Sequence, residues 1–308
     1  MSVVLEVTDL RKSFGDTEVI KGINFSLNEG EILGILGPNG AGKTTTLQML
    51  LGILTPTSGS VHVFGKDIAT YKSEVLEHVN FSTTYTDLPW RLTVQENLIW
   101  SSYLYDIKDR KKRLAKIKEL FRLEPLWKKQ MSALSAGQRT RVNLARSMVN
   151  FPKLLLLDEP TASLDPEVAT YMREFFAGQR RDFKTTIILT SHNMAEVEEL
   201  CDRVLILKDG EIVGNDTPAK LAKKLEYCHL NLRIIKNATK LTTLVDHMKG
   251  SMSENDGVYT ITFKEQQLPK FLNTLSEQKI AYSEISIDKP DLEDYFMSVA
   301  KGASHEAL

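Results

Sequence analysis

Through residues 2–30 apolar and polar positions alternate with the two-residue period of half-buried strands. Val4-Leu5-Glu6-Val7, Glu18-Val19-Ile20 and Ile23-Asn24-Phe25-Ser26-Leu27 carry the alternation, and Asn28-Glu29-Gly30 marks a turn. Three later runs are apolar without alternation: Ile32-Leu33-Gly34-Ile35-Leu36, Leu154-Leu155-Leu156-Leu157, and Thr185-Thr186-Ile187-Ile188-Leu189-Thr190. Continuous runs of this length predict central strands of a parallel sheet, covered on both faces. A helix-like run, Thr45-Thr46-Leu47-Gln48-Met49-Leu50-Leu51, follows the first of them, and Ser60-Val61-His62-Val63-Phe64-Gly65 reads as a further strand. Residues 92–150 change texture. They are rich in Leu, Lys, Arg and Glu at helical spacing, as in Leu114, Ile117, Leu120 and Phe121, and predict a helical insert cut by Pro125. Beyond the boundary expected near Leu225-Glu226, the pattern predicts strand 228–235, helix 238–249, strand 257–263, helix 265–278, strand 281–287 and helix 291–300. This is a small α+β unit of ferredoxin-like kind, ending in a frayed tail at 301–308.

Between the first buried run and its helix lies Gly37-Pro38-Asn39-Gly40-Ala41-Gly42-Lys43-Thr44, which fits the pattern G-x-x-x-x-G-K-[ST] at every fixed position. The glycines let successive backbone N–H groups turn inward on a phosphate, and the helix start adds its positive dipole end. Lys43 then reaches the β and γ phosphates, and the Thr44 hydroxyl is a ligand for Mg²⁺. The other two runs end in polar groups, Asp158-Glu159-Pro160 and Ser191-His192. Ligands of open α/β sheets bind at the carboxyl ends of strands, so the loop, Asp158, Glu159 and His192 converge although far apart in sequence. Asp158 is the expected partner of Mg²⁺, and Glu159 the general base or the group that polarises the attacking water. His192 is placed to hydrogen-bond the γ phosphate or that water. Each motif also has a plainer reading: a glycine turn, a strand-end turn capping the next helix, a structural histidine. Their joint occurrence is what favours chemistry.

Ser135, in Leu134-Ser135-Ala136-Gly137-Gln138-Arg139, is well placed as N-cap of a helix carrying Val142, Ala145, Met148 and Val149. Such a start is again an anion site, and spacing alone does not say which phosphate it meets or in which subunit. Phe14, before Gly15, stacks on an adenine or is a core aromatic at a turn; spacing leaves both open. The basic run Lys108 to Arg113 reads as a solvated helix start, with an acidic partner or lipid headgroups as the sharper alternative. The other histidines show no ligand spacing.

Composition narrows the setting. The chain has 308 residues, 42% hydrophobic and 26% charged, with net charge −1. That is an ordinary globular composition for about two domains, without the basic footprint of a nucleic-acid binder. Cys201 and Cys228 lie outside any metal spacing, so a disulfide framework is not expected and a reducing cytoplasm fits. The N-terminus lacks signal-peptide character, and no apolar run approaches the roughly 18–20 residues of a membrane span. If the protein serves a membrane process, the spanning part is another chain.

Taken together these motifs resemble the nucleotide-binding subunit of an ATP-binding cassette (ABC) transporter over roughly residues 3–220. The phosphate loop at 37–44, the signature Leu134 to Gln138, the second Walker motif Leu154 to Pro160, a D-loop at Ser163-Leu164-Asp165 and a switch histidine at His192 occur in the family's order. The resemblance implies an α/β fold: a P-loop ABC ATPase domain at 1–225, with RecA-like core, β lobe and helical insert, followed by an accessory α+β domain at 226–308. It implies ATP and Mg²⁺ as ligands, held by Phe14 on the adenine, Gly37 to Thr44 and Thr45 on the phosphates, and Thr44 and Asp158 on the metal. Lys43, Glu159 and His192 are the implied catalytic groups. It further implies a head-to-tail homodimer in which Ser135, Ala136, Gly137, Gln138 and Asp165 complete the partner copy's site, a separate permease driven by dimer closure, and residence at the cytoplasmic face of the cell membrane. Asp288 to Phe296 resembles the tail of ABC-2 exporters. Soluble ABC-type ATPases of ribosome, nucleic-acid or cluster assembly are the competing class; the single phosphate loop and the lack of a visible long coiled coil disfavour them. Two departures stand out: Ala136 replaces the usual glycine, and Thr84 stands where a glutamine is usual and is too short to reach metal or water as glutamine does.

Overall fold

The computed structural model describes residues 2–83, 88–162, 164–248 and 250–301. It forms two compact units, Met1–Thr217 and Pro218–Leu308. In the first unit, β1 (Val3–Phe14) and β2 (Thr17–Asn28) pair as a long antiparallel hairpin. The buried run becomes β3 (Ile32–Leu36), and the glycine loop leads into α1 (Lys43–Leu50). Then come β4 (Ser58–Val63), the two-residue β5 (Lys66–Asp67), α2 (Lys72–Leu76) and β6 (Val79–Thr83). The order β2-β1-β4-β5 makes one antiparallel sheet, the β lobe.

The insert holds α3 (Val94–Ser102), α4 (Arg110–Leu120) and α5 (Ala136–Ser147). Pro125 sits in a short 3-10 turn, Glu124–Leu126, that follows α4. The basic run is a helix start: Asp109 caps α4 through the N–H of Lys112 at 3.0 Å. Its arginines are tied down, Arg113 to the Val149 carbonyl at 3.1 Å, while Lys108, Lys111 and Lys112 are exposed.

The chain returns through β7 (Leu154–Asp158), α6 (Pro166–Phe183), β8 (Thr186–Thr190), α7 (Met194–Leu200), β9 (Arg203–Lys208) and β10 (Glu211–Asp216). The central sheet runs β10-β9-β3-β8-β7-β6, parallel except for β10. Every residue of β3, β7 and β8 is buried, as expected of strands covered on both faces. Register lines up the strand ends: Asp158 stands beside Thr190 on one side and Thr83 on the other.

The second unit contains α8 (Pro218–Ala222), β11 (Tyr227–Lys236), α9 (Ala238–His247), β12 (Ser251–Asn255), β13 (Val258–Lys264), α10 (Leu268–Glu277), β14 (Ala281–Asp288) and α11 (Leu292–Lys301). The strand β12, which the pattern does not predict, completes a β-α-β-β-α-β order, and the antiparallel sheet β14-β11-β13-β12 is the ferredoxin-like arrangement.

Candidate active site

The glycine loop leaves the carboxyl end of β3 and is shaped by backbone constraint. Gly40 and Gly42 have φ of +82° and +101°, the left-handed region that side chains disfavour. A Cβ on Gly42 would stand 2.3 Å from Ile20 Cδ1, and one on Gly37 2.4 Å from the Leu207 carbonyl, whereas nothing lies within 4 Å of such an atom on Gly40. The loop is thus packed against the protein at Gly37 and Gly42 and open at Gly40. Asn39 and Gly40 are exposed, Ala41 is buried, and Thr44 and Thr45 follow at the start of α1, Thr44 exposed. Lys43 spans the loop: its ammonium donates to the carbonyls of Gly37 at 2.5 Å and Pro38 at 3.2 Å. Burial pulls the lysine below its usual value, opposed by the nearby charges of Glu159 and Asp158. The loop is thus curled about the lysine side chain, with Asn39 and Gly40 open to solvent.

Asp158 ends β7 and is 8% exposed. Its Oδ1 accepts the Thr190 hydroxyl at 2.6 Å. Together with Thr44, Gln48, Ser82 and Thr83 it lines a cavity of about 310 Å³ beside the loop. These are hard oxygen donors, suited to Mg²⁺. Among the described residues no group of three or more His, Cys, Asp or Glu is assembled to hold a metal unaided. Thr84, the residue at the glutamine-loop position, lies outside the described residues, as does Ser163.

Glu159 is held in an unusual way. Its φ is +52°, so the backbone enters the left-handed region directly after β7, with its N–H on the Thr190 carbonyl at 3.1 Å and hydroxyl at 3.2 Å. This turn aims the carboxylate across to the end of β8. Oε2 accepts the backbone N–H of His192 at 3.2 Å, and Oε1 lies 3.3 Å from His192 Nε2. That second approach is close but not a directed hydrogen bond, and among the described residues Oε1 has no hydrogen-bond partner although it is buried. Burial pushes the Glu159 carboxyl above the ordinary carboxylate range, opposed chiefly by His192. The His192 side chain is 59% exposed. A strand-end carboxylate, an exposed imidazole and the glycine loop are therefore brought to the ends of the neighbouring strands β7, β8 and β3.

The remaining predicted residues lie elsewhere. Ser135 is the N-cap of α5, and with Gln138 it forms a reciprocal capping box, 3.3 Å from Ser135 Oγ to the Gln138 N–H and 3.2 Å from the Ser135 N–H to Gln138 Oε1. Ser135 and Ala136 are exposed and Gly137 half-buried, and none of the four signature residues lines the cavity beside Thr44. Asp165 is exposed and caps α6 through the Val168 N–H at 3.1 Å. Phe14 is 50% exposed at the β1–β2 turn, with Lys12 Nζ 5.0 Å above its ring, so it is no core aromatic.

One residue escapes sequence reading: Glu196, on α7, is 2% exposed and accepts hydroxyls from both Thr161 and Ser191. It stands in the acidic stretch Glu196, Glu198, Glu199, and only its helical phase relative to Val197 and Leu200 hints at burial.

Comparison with known proteins agrees with this geometry. The family model described as ABC transporter matches residues 20–162. The bacitracin transport ATP-binding protein BcrA of Bacillus licheniformis is 30% identical over 306 residues, covering 99% of both chains. A Nod factor export ATP-binding protein I of Rhizobium sp. (strain N33) is 33% identical over 79% of this chain and 80% of its own. The linearmycin resistance ATP-binding protein LnrL of Bacillus subtilis is 34% identical over 72% of each. Among solved structures, cbiO1 from Clostridium perfringens, part of the ABC transporter complex cbiONQ, superposes with a TM-score of 0.64 at 30% identity, over 72% of this chain and 91% of that one. An ATP-binding subunit of an ABC transporter gives 0.67 at 26% identity, over 72% and 92%. With its phosphate cradle, strand-end carboxylates and signature helix in one cassette fold, the chain belongs to the ABC transporter family, as one of its ATP-binding, ATP-hydrolysing subunits.

Proposed function

We propose that this subunit powers a separate membrane permease for export, from the cytoplasmic face of the membrane, by ATP-driven closure of a head-to-tail homodimer. The observation that carries the catalytic part is the placement of Glu159 and His192 at the ends of β7 and β8. The loop N–H groups and Lys43 hold the β and γ phosphates, and Phe14 stacks on the adenine. Thr44 and Asp158 hold Mg²⁺, which when bound supplies charge that offsets the phosphate oxygens. Glu159 takes the proton of the attacking water, a task that burial favours by raising the proton affinity of its carboxylate. His192 orients the water or the γ phosphate from its exposed side.

The cap formed by Ser135, Ala136, Gly137 and Gln138 supports a composite site: the capping box uses the N–H groups of Ser135 and Gln138, which leaves those of Ala136 and Gly137 at the helix start, away from its own chain's phosphate cavity. Asp165, exposed and ahead of α6, joins the same seam. Permease docking is supported by apolar side chains that have no reason to face water on an isolated ATPase: Ile53, Trp100, Tyr103 and Leu104 are 58–74% exposed. Leu51, Ile53, Phe81, Leu104 and Tyr105 line a groove of about 400 Å³. Among the described residues no helix is long and apolar enough to cross a membrane. Export is supported by the relatives named for bacitracin transport and Nod factor export. The match to the former spans the second unit as well, which we read as an accessory domain.

Affinity purification of the tagged chain from gently solubilised native membranes tests the transport reading. A polytopic membrane chain is expected in comparable amount. Recovery only in the soluble fraction, with ribosomes or nucleic acid, overturns it.

A further inference from the structure

We infer that Glu196 is a positioning residue that holds the Glu159 and His192 segments in register for hydrolysis. The inference rests on the catalytic reading of those two residues given above. A carboxylate that is 2% exposed is costly to bury unless hydrogen bonds compensate it. Here both compensating bonds fall on one oxygen and come from two different segments. Thr161, two residues beyond Glu159, donates its hydroxyl to Oε2 at 2.8 Å. Ser191, the residue before His192, donates its hydroxyl to the same oxygen at 2.7 Å. Among the described residues Oε1 has no hydrogen-bond partner.

Both hydroxyls donate to Oε2, and a hydroxyl that donates keeps its lone pairs with which to accept. The Ser191 oxygen is then free to accept, and it takes the N–H of Asn193 at 3.1 Å. His192 is thereby enclosed by a bond between its two neighbours, while its own N–H reaches Glu159 at 3.2 Å. The bonds close a ring: Glu159 to His192, through Ser191 to Glu196, and through Thr161 back along the chain to Glu159. Each link sets where the base and the imidazole stand, and Glu196 is the only member that touches both segments without belonging to either. A displacement of the order of 1 Å in such groups costs about a hundredfold in rate.

The test uses the full chain with Glu196→Gln, which keeps shape, and Glu196→Ala, which removes the tie. Steady-state ATP turnover, equilibrium ATP affinity and thermal melting are measured on each. Turnover of Glu196→Ala is expected to fall by about tenfold to a hundredfold, with ATP affinity within about twofold of wild type. In a Thr161→Val/Ser191→Ala background, adding Glu196→Ala is expected to change turnover by less than about twofold, because the partners are already gone. If Glu196→Ala does not fold, the Thr161→Val/Ser191→Ala chain, which retains the carboxylate, must itself show the loss of turnover at unchanged affinity. Wild-type turnover in a folded Glu196→Ala chain overturns the inference, whereas Glu196→Gln, whose carbonyl oxygen can still accept both hydroxyls, is expected to lose less. A loss of affinity in step with turnover, or an undiminished effect of Glu196→Ala in the hydroxyl-free background, also overturns it. Undiminished hydrolysis by Glu159→Gln is a different failure, since it removes the catalytic reading and leaves the hydrogen-bond ring as found.

Discussion

The central parallel sheet and the sheet of the second unit use the same alphabet in opposite ways. In the parallel sheet, β3, β7 and β8 bury every residue, and polar chemistry is confined to the strand ends. In the second unit, β14 buries almost nothing along its length, and β11 alternates, with Cys228, Leu230 and Leu232 turned to a core shared with Leu241, Leu244, Phe271 and Leu275. A sheet covered on both faces can act only at its edges and ends, so its reactive groups are gathered where the loops leave it. A sheet covered on one face instead spreads polar side chains across a surface, where Asn231 links Thr260, Ser286 and Asp288 from strand to strand rather than gathering them at strand ends. The difference teaches where to look: catalysis follows from strand ends, and burial along the strands is what makes those ends rigid.

The sharpest break in that comparison comes from Glu159→Gln. Hydrolysis is expected to fall by about a hundredfold or more, with ATP binding kept and a dimer trapped on size-exclusion chromatography; adding Ser135→Arg is expected to dissolve that dimer. A Glu159→Gln chain that turns over near the wild-type rate removes the base from the strand end. Next in size is Leu232→Ala, at a fully buried position of the second unit. It is expected to destabilise that unit by about 2–5 kcal/mol in calorimetric unfolding, with ATP affinity unchanged; a folded variant that has lost ATP affinity would tie the second sheet to the first one's chemistry. The smallest effect concerns pH. Burial raises the Glu159 carboxyl above its ordinary 4.5, so the folded chain holds that proton more tightly than the unfolded one. The group's contribution to stability is full below that ordinary value and is lost as pH rises through the higher folded value. Glu159→Gln is therefore expected to melt above wild type at pH 7, with the gap narrowing on acidification; a gap that widens there reverses the sign of the burial argument.

Much of this was legible in the residues. The unbroken runs ending at Leu36, Asp158 and Thr190 carry enough apolar character to declare buried parallel strands, and the glycine loop announces its own turn. Ser135 was readable as a cap because its side chain acts on its own helix. Less was legible where neighbours decide. Met252 in β12 sits among Ser251, Ser253, Glu254 and Asn255, a pattern with no strand signal; backbone pairing to β13 holds it. Glu196 looks like any surface glutamate until Thr161, 35 residues earlier, folds onto it beside the nearby Ser191. The left-handed backbone of Glu159 has no signature either, since a glutamate before a proline gives no reason to expect φ of +52°.

That backbone has a consequence for anyone who evolves this protein in the laboratory. At position 159 both the backbone conformation and the buried charge weigh against folding, so selection for heat resistance alone will drift there, toward glycine or asparagine for the conformation and toward uncharged side chains for the environment. Each such gain removes the carboxylate. A library sorted first for thermal survival and then for turnover should show position 159 enriched in the first round and purged in the second, which makes the opposing pulls of fitness readable at a single codon.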